Sequence, residues 1–189
     1  MNIENIYKIC EELKATSGKN DKLAILKREG SNEDFKRFLV YVYDKINHVY
    51  GIANKKLQKF LGKTNGSSQF NNLFEVFEYI KVHNTGDDNT VKLVAEFIDN
   101  EPEELKEFYI ESITKTLKCG IDKAINKAYG NLIPEFNVML AHPFEKYADK
   151  VKDKTLYITE KLDGSRALFI KQNGKVVGFI GLCRSYAYE

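Results

Sequence analysis

The spacing of the apolar residues changes near residue 131, and this change constrains the fold more than any other feature of the chain. Before it, apolar residues recur every three or four positions, which is the period of a helix with one buried face. After residue 154, short runs rich in Val, Ile, Phe and Tyr alternate with turn residues, as in β-strands. We therefore predict a mainly α chain that becomes α+β, with an all-helical domain over residues 1–131 and the incomplete start of a second domain over residues 132–189.

Six apolar stripes predict the helices of the first domain. Their members are Ile3, Ile6, Tyr7, Cys10 and Leu13; Leu23 and Leu26; Phe35, Phe38, Leu39, Val42 and Ile46; Leu73, Phe74, Phe77 and Ile80; Val91, Val94, Ala95 and Ile98; Leu105, Phe108, Tyr109, Ile113 and Leu117. Asn32 or Ser31 is suited to cap the third helix, and Pro102 suits the first turn of the last one. Gly120 is predicted to end that last helix, because glycine commonly follows a helix C-terminus.

Three runs in the second domain predict β-strands, at residues 155–159, 166–170 and 176–180. Asn173-Gly174 separates the last two runs and is a strong hairpin signal, since both residues tolerate a positive φ. One strand and one hairpin cannot bury a stable core by themselves. This part of the chain must therefore pack on the helical domain, on another chain or on further sequence.

Composition excludes some classes of protein and leaves others open. The 29 basic and 27 acidic residues give a net charge of only +2, so a nucleic-acid interface would have to come from local clustering of lysines. The three cysteines are far apart in sequence, which favours free thiols in a reducing compartment over disulfides or a zinc site. No apolar run has the length of a membrane span, and no signal peptide is apparent, so we expect a cytoplasmic protein that does not engage a membrane.

The segment 160–166 reads Glu-Lys-Leu-Asp-Gly-Ser-Arg and contains the pattern K-x-D-G-x-R. It falls on a turn between two predicted strands. A surface β-turn is the alternative interpretation, because Asp-Gly is a common turn pair and flanking Lys and Arg side chains are often merely solvated.

This pattern resembles the nucleotide-accepting motif of ATP-dependent DNA ligases, RNA ligases and capping enzymes. The segments 117–120, 125–127, 130–134 and 138–141 resemble the junction between the helical and adenylation domains of the DNA ligases of T-even and related phages. The segments 17–27, 35–36 and 50–52 resemble the N-terminal domain of the same group. The likeness therefore runs through nearly the whole chain in order.

The resemblance implies that Lys161 is the catalytic nucleophile. Its amine would attack the α-phosphate of ATP, forming a covalent lysyl-AMP and releasing pyrophosphate. A lysine has an ordinary pKa of about 10.4, so such a site must favour the neutral amine. AMP would then pass to the 5′-phosphate at a nick in double-stranded DNA, and the 3′-hydroxyl would displace it, with Mg²⁺ offsetting the phosphate charge. The ligands of the metal are unknown.

The resemblance also assigns roles around Lys161. Asp163 would help to hold the lysine turn and the metal or nick geometry, and Gly164 would allow close approach of the backbone. Arg166 would contact the nucleotide ribose or the nick phosphate. Thr159 and Glu160 lie where the family contacts adenine, partly through the backbone.

Arg184 falls where the family has a second phosphate-contacting arginine, within a Ser-Arg-x-Gly setting. Here both the Ser and the Gly are replaced, since the sequence reads Cys-Arg-Ser-Tyr at residues 183–186. An ordinary surface arginine is the equal alternative.

The resemblance makes residues 1–131 a DNA-binding domain and residues 132–189 the start of an adenylation (nucleotidyltransferase) domain. The predicted DNA contacts are Lys115, Lys118, Lys123 and Lys127, which flank the Cys119-Gly120 turn, where amides at a helix start could also meet phosphate. A second run, Lys55, Lys56, Lys59 and Lys63, has near-helical spacing but less support from the resemblance.

The chain ends at residue 189, 28 residues after Lys161, and the later motifs of such ligases cannot fit in that length. We therefore expect an N-terminal portion of a ligase that does not seal nicks alone, whether from a truncated gene, a split ligase completed by a second polypeptide, or an experimental boundary. The first alternative function is a non-catalytic DNA-binding or interaction module that retains Lys161. A second alternative, an RNA ligase or capping enzyme, lacks support from the helical domain.

Overall fold

The computed structural model describes residues 3–64, 66–135, 144–155, 157, 167–172 and 175–180, and in the hairpin it describes the side-chain exposure of Phe169 and Val176 alone. The chain divides into two compact units, Met1–Glu135 and Phe136–Glu189. The helices of the first unit are α1 Ile3–Ala15, α2 Lys19–Arg28, α3 Glu33–Tyr43, α4 Asn54–Leu57, α5 Leu73–Val82, α6 Asp88–Asp99, α7 Glu103–Ile113 and α8 Asp122–Tyr129. The prediction of a mainly helical chain is confirmed.

Side-chain caps mark where three of these helices begin. Asn32, rather than Ser31, caps α3, because its Oδ1 accepts a hydrogen bond from Phe35 N at 3.0 Å. Asn72 caps α5 and Asp87 caps α6 in the same way. Each cap satisfies a backbone N–H that has no partner within the helix, so these short polar residues fix the helix starts.

The predicted stripes meet in one core that is rich in aromatic rings. Phe38 stacks on Phe108 with ring centroids 5.4 Å apart, and Tyr41 stacks on Phe77 at 5.0 Å. All four side chains are buried. Among the predicted stripe residues, Ile3, Tyr7, Leu23 and Ile46 are only half-buried, and Ile46 also lies beyond the end of α3. Burying each large apolar side chain contributes roughly 1.5–3 kcal/mol, so the core is the main source of stability in this unit.

Helix α7 ends earlier than the sequence predicts. The stripe continues to Leu117, which is buried, but the helix stops at Ile113. Gly120 is therefore not the end of α7 and lies instead just before α8. Pro102 immediately precedes α7 as its N-cap residue, one position before the predicted first turn.

Two glycines let the chain cross itself at close range. A Cβ added to Gly86 would lie 1.9 Å from the carbonyl oxygen of Gly51, and Gly86 also has a φ of 61°. Lys56 holds the same crossing, since its Nζ donates to Gly86 O at 2.6 Å and pairs with Asp88 at 2.6 Å. The loop after α3 is thereby fixed to the turn between α5 and α6.

The second unit contains the helix α9 Phe144–Val151 and the strands β1 Ala167–Gln172 and β2 Lys175–Ile180. The strands form an antiparallel hairpin that pairs Ala167 with Ile180 and Gln172 with Lys175. Phe169 and Val176 are exposed. Two of the three predicted strands are therefore present, within one or two residues of the predicted bounds.

The other predictions for this unit fall largely on residues that are not described. The predicted turn at Asn173-Gly174 lies outside the described residues, as does most of the run 155–159, of which Thr155 and Tyr157 are not in a strand. That these strands open an adenylation domain stays a prediction. Among the residues that the structure describes, no helix is both long and apolar enough to cross a membrane.

We predict that Gly86→Ala destabilises the helical unit much more than Gly62→Ala. Both glycines have a positive φ, 61° and 71°, but a Cβ on Gly62 would meet nothing within 4 Å. Gly62→Ala should therefore cost only the left-handed backbone penalty of about 1–2 kcal/mol. Gly86→Ala adds a clash with a backbone carbonyl and should cost about 3 kcal/mol or more. Urea unfolding followed by far-ultraviolet circular dichroism measures both, and equal losses would contradict the crossing.

Candidate nucleic-acid interface

The residues of the K-x-D-G-x-R motif lie outside the described part of the chain. The same is true of the neighbouring residues that were predicted to bind nucleotide. The full set is Thr159, Glu160, Lys161, Asp163, Gly164, Arg166 and Arg184. Their roles in nucleotide binding and catalysis stay predictions. The predicted lysines of the helical unit are all described, so the geometry of a site can be built there.

Close to its start, the segment between α7 and α8 contains a residue other than glycine in the left-handed backbone conformation. Lys115 has a φ of 55°, and its N–H donates to Ser112 O at 3.3 Å. Thr116 N donates to Glu111 O at 2.8 Å. This pair of bonds is a Schellman motif, which glycine usually completes because other residues pay about 1–2 kcal/mol for the left-handed conformation.

The side chain of Lys115 is turned into the domain and is half-buried. Its Nζ donates to the carbonyl oxygen of Asp44 at 2.6 Å and lies 4.7 Å from the centroid of the Tyr50 ring. Asp44 is the C-cap residue of α3, so a cation there meets the negative end of that helix. Lys115 therefore ties the end of α7 to the end of α3, and its ammonium already contacts the Asp44 carbonyl and the Tyr50 ring.

Burial lowers the pKa of Lys115 from its ordinary value of 10.5 to about 8. The nearby Asp44 raises this pKa and Lys45 lowers it, but neither effect exceeds that of burial. The amine is thus still mostly protonated at neutral pH, in keeping with its contacts to a carbonyl and an aromatic face.

The following residues alternate between the core and the solvent. Leu117, Cys119 and Ile121 are buried, whereas Lys118 and Gly120 are exposed. The alternation fixes the segment on the core and leaves the ammonium of Lys118 in water.

Lys22 of α2 also secures this segment. Its Nζ donates to the carbonyl oxygen of Cys119 at 2.5 Å. A Cβ on Gly120 would lie 2.8 Å from that Nζ, and Gly120 has a φ of 65°, so glycine suits the position on both counts. Tyr129 of α8 adds a bond from its hydroxyl to Leu26 O at 2.5 Å. Helix α2 is therefore tied both to α8 and to the segment that precedes it.

A groove of about 580 Å³ runs between α2 and α8, and we call it the α2–α8 groove. Its described charged residues are Lys19, Lys22, Asp122, Lys123 and Lys127. Lys19, Lys123 and Lys127 are exposed. Four lysines against one carboxylate make this groove a strongly basic part of a nearly neutral chain.

A larger groove of about 1400 Å³ also borders this segment, and we call it the α6–α7 groove; Gly120 and Asp122 line both grooves. Its described basic residues are Lys45, Lys106, Lys115 and Lys118, and its acidic residues are Asp99, Glu103, Glu107, Glu111 and Asp122. The carboxylates outnumber the lysines, and Lys106 is paired with Glu103 at 2.8 Å. This groove therefore has no excess of positive charge with which to attract a phosphate.

The four predicted DNA-contacting lysines are thus divided between two surfaces. Lys123 and Lys127 line the basic groove, whereas Lys115 and Lys118 line the groove in which carboxylates predominate. Sequence reasoning missed Lys19 and Lys22, because they lie about a hundred residues before α8. No local pattern pairs these two helices. The contact of Lys22 with Cys119 appears only in the fold.

Helix α8 begins at Asp122 after Ile121, which makes no side-chain cap bond. Helix α2 begins after Gly18, which likewise makes none, although the Asp21 carboxylate lies beside that glycine. The predicted contact of backbone amides with phosphate stays a prediction. Among the described residues, no group of three or more His, Cys, Asp or Glu side chains could hold a metal ion.

We predict that titration of Lys115 makes the stability of the helical unit depend on pH. Between about pH 8 and 10.5 the unfolded chain holds a proton at this lysine that the folded chain has lost, so folding becomes more favourable as the pH rises. The free energy of unfolding of the native chain, measured relative to Lys115→Met, should therefore rise across this window.

Lys115→Arg is the matched control, because arginine stays charged throughout this range. Its stability relative to Lys115→Met should not show that rise. A flat difference between the native chain and Lys115→Met would mean that the lysine is not perturbed. Urea unfolding at a series of pH values provides the measurement.

No protein-family model matches this chain, and no curated protein matches it. The features that bear on function are therefore the segment 160–166 and the charge and geometry of the helical unit.

Proposed function

We propose that this chain supplies the DNA-binding domain and the nucleotide-accepting lysine of an ATP-dependent DNA ligase, which seals nicks through a covalent lysyl-AMP intermediate. The observation that carries the proposal is the sequence Lys-Leu-Asp-Gly-Ser-Arg at residues 161–166. Lysine at the first position supplies an amine nucleophile, and Asp-Gly supplies a tight turn that brings the backbone close to a phosphate. The order of the chain supports the same proposal, since a helical unit comes before this segment.

In the proposed reaction, the Nζ of Lys161 forms a bond to the α-phosphorus of ATP while the bond to the bridging oxygen of the β-phosphate breaks. Pyrophosphate leaves, and the amine gives up a proton to solvent. Asp163 and Gly164 would shape the turn, and Arg166 would pair with a phosphate or the ribose. Thr159, Glu160 and Arg184 complete the proposed nucleotide-binding set. A magnesium ion would offset the negative charge of the phosphates, and its ligands are not assigned.

The helical unit would hold the DNA. Lys123 and Lys127 are exposed and line a basic groove, which supports contact with phosphate. Lys118 is exposed but lines the α6–α7 groove, and Lys115 is held by Asp44, so these two are weaker candidates.

A non-catalytic DNA-binding module is the second candidate function. The observation that favours it is the groove itself, because permanent charge on the helical unit can attract DNA without any nucleotide chemistry. This candidate predicts DNA binding without a covalent nucleotide adduct.

We predict that the purified chain becomes labelled when it is incubated with α-labelled ATP and magnesium, because Lys161 would form a stable phosphoramidate. A denaturing gel followed by autoradiography separates this covalent adduct from bound ATP. Lys161→Ala should abolish the label, and Lys161→Arg should abolish it too, because an arginine stays protonated and cannot act as the nucleophile.

Lys154→Ala is a control that removes a lysine outside the motif and should keep the label. Label that persists in Lys161→Ala would place the adduct elsewhere and overturn the assigned nucleophile. No label on the native chain, together with retained DNA binding, would favour the non-catalytic module.

A further inference from the structure

We propose that the α2–α8 groove is the surface that binds the phosphate backbone of duplex DNA, with Lys19 and Lys22 as binding residues beside Lys123 and Lys127. The identity of the ligand rests on the proposed function. The choice of surface rests on the fold, because it brings lysines from both ends of the helical unit to one groove.

The charges of the two grooves decide between the surfaces. Four lysines and one aspartate line the α2–α8 groove among the described residues, whereas four lysines and five carboxylates line the α6–α7 groove. A phosphate backbone is attracted by the excess of lysines in the first groove, whereas the second groove offers no such excess. Two lysines of the α6–α7 groove are also engaged already, Lys106 by Glu103 and Lys115 by Asp44.

The lysines of α8 have a spacing that suits a strand of DNA. Lys123 and Lys127 are four residues apart, so they lie on one face of the helix and rise about 6 Å along its axis. Phosphates of one strand rise about 3.4 Å per step along the duplex axis and also rotate around it, so two lysines about 6 Å apart can reach different phosphates of one strand. The α8 wall of the groove can therefore contact one strand at more than one phosphate.

The α2 wall adds charge from the other side. Lys19 is the first residue of α2 and is exposed. Lys22 is half-buried, and its ammonium donates to Cys119 O at 2.5 Å. An ammonium carries three protons, so Lys22 can keep this bond and still donate to a phosphate. It would then link the bound strand to the segment that positions α8.

The test compares two double variants that each remove two positive charges. Lys19→Gln with Lys127→Gln neutralises one exposed lysine on each wall of the α2–α8 groove. Lys45→Gln with Lys118→Gln neutralises two exposed lysines of the α6–α7 groove. Binding of the full chain to fluorescein-labelled nicked duplex DNA is followed by fluorescence anisotropy at several salt concentrations, and thermal unfolding checks that each variant is folded.

We expect the Lys19/Lys127 variant to bind about tenfold more weakly or worse at low salt. The logarithm of the binding constant falls linearly with the logarithm of the salt concentration, and each lost phosphate contact should make this slope shallower by about 0.9. The loss of two contacts should therefore make it shallower by about 2. The Lys45/Lys118 variant removes the same amount of charge from the α6–α7 groove and should lose much less affinity than the Lys19/Lys127 variant. Lys19→Arg with Lys127→Arg should restore binding, since it keeps the charge.

Equal losses in the two Gln variants, or a larger loss in the Lys45/Lys118 variant, would overturn the assignment of the groove. Single-stranded RNA of the same length and tripolyphosphate are the competitors. If either displaces the duplex as effectively as unlabelled duplex does, the groove is a general polyanion surface and not a site for duplex DNA.

Lys161→Ala separates this inference from the proposed catalytic function. It should lose the nucleotide label while its DNA affinity and salt slope stay unchanged. A native chain that binds DNA through Lys19 and Lys127 but takes no label would therefore leave the groove assignment standing while the ligase chemistry fails.

Discussion

The left-handed turn at Lys115 is the constraint on which the proposed DNA-binding surface depends. It ends α7 at Ile113, and the backbone then runs along the core until α8 begins at Asp122. A left-handed lysine costs about 1–2 kcal/mol, and a hydrogen bond that involves a charged group contributes about 1.5–3 kcal/mol. The bond from Lys115 to Asp44 O opposes this strain, whereas burial of the same ammonium, which lowers its pKa, acts against that gain. A glycine here would avoid the strain but could not make the bond.

The turn also explains why α8 meets α2. Leu117, Cys119 and Ile121 enter the core after it, and Lys22 holds the segment by its Cys119 carbonyl. The hydroxyl of Tyr129 then bonds to Leu26 O at the other end of the contact. A continuous α7, as the apolar stripe through Leu117 predicts, would have carried Lys118 onward along a helix and left no basis for the α2–α8 groove.

Local signals predicted most of the helices and the two strands, but they missed α4, α8 and α9 and did not predict how the helices pack together. The stripe of Phe35, Phe38, Leu39 and Val42 located α3, and Asn32 located its start, because side-chain periodicity and capping act within a few residues. The left-handed conformation of Lys115 had no such signal, since in a sequence that conformation is indicated mainly by glycine and, less often, by asparagine or aspartate. The pairing of α2 with α8 was equally hidden, because it joins residues about a hundred positions apart. Lys123 and Lys127 could be proposed as DNA contacts from the sequence. The division of charge between two grooves could not, because it depends on the packing of α2 against α8.

The two proposed activities make opposite demands on lysine. Lysines that attract DNA must present their charge to the phosphates, and Lys19, Lys123 and Lys127 are exposed to solvent. A lysine that attacks ATP must present a neutral amine, which requires burial or neighbouring cations. Lys115 illustrates how strongly burial acts in this fold, since it lowers that lysine's pKa to about 8, yet its amine faces a carbonyl and an aromatic ring rather than a ligand. A lowered pKa therefore does not by itself make a nucleophile. The ligase proposal requires that the chain around Lys161 combine such an environment with an open path to a phosphate.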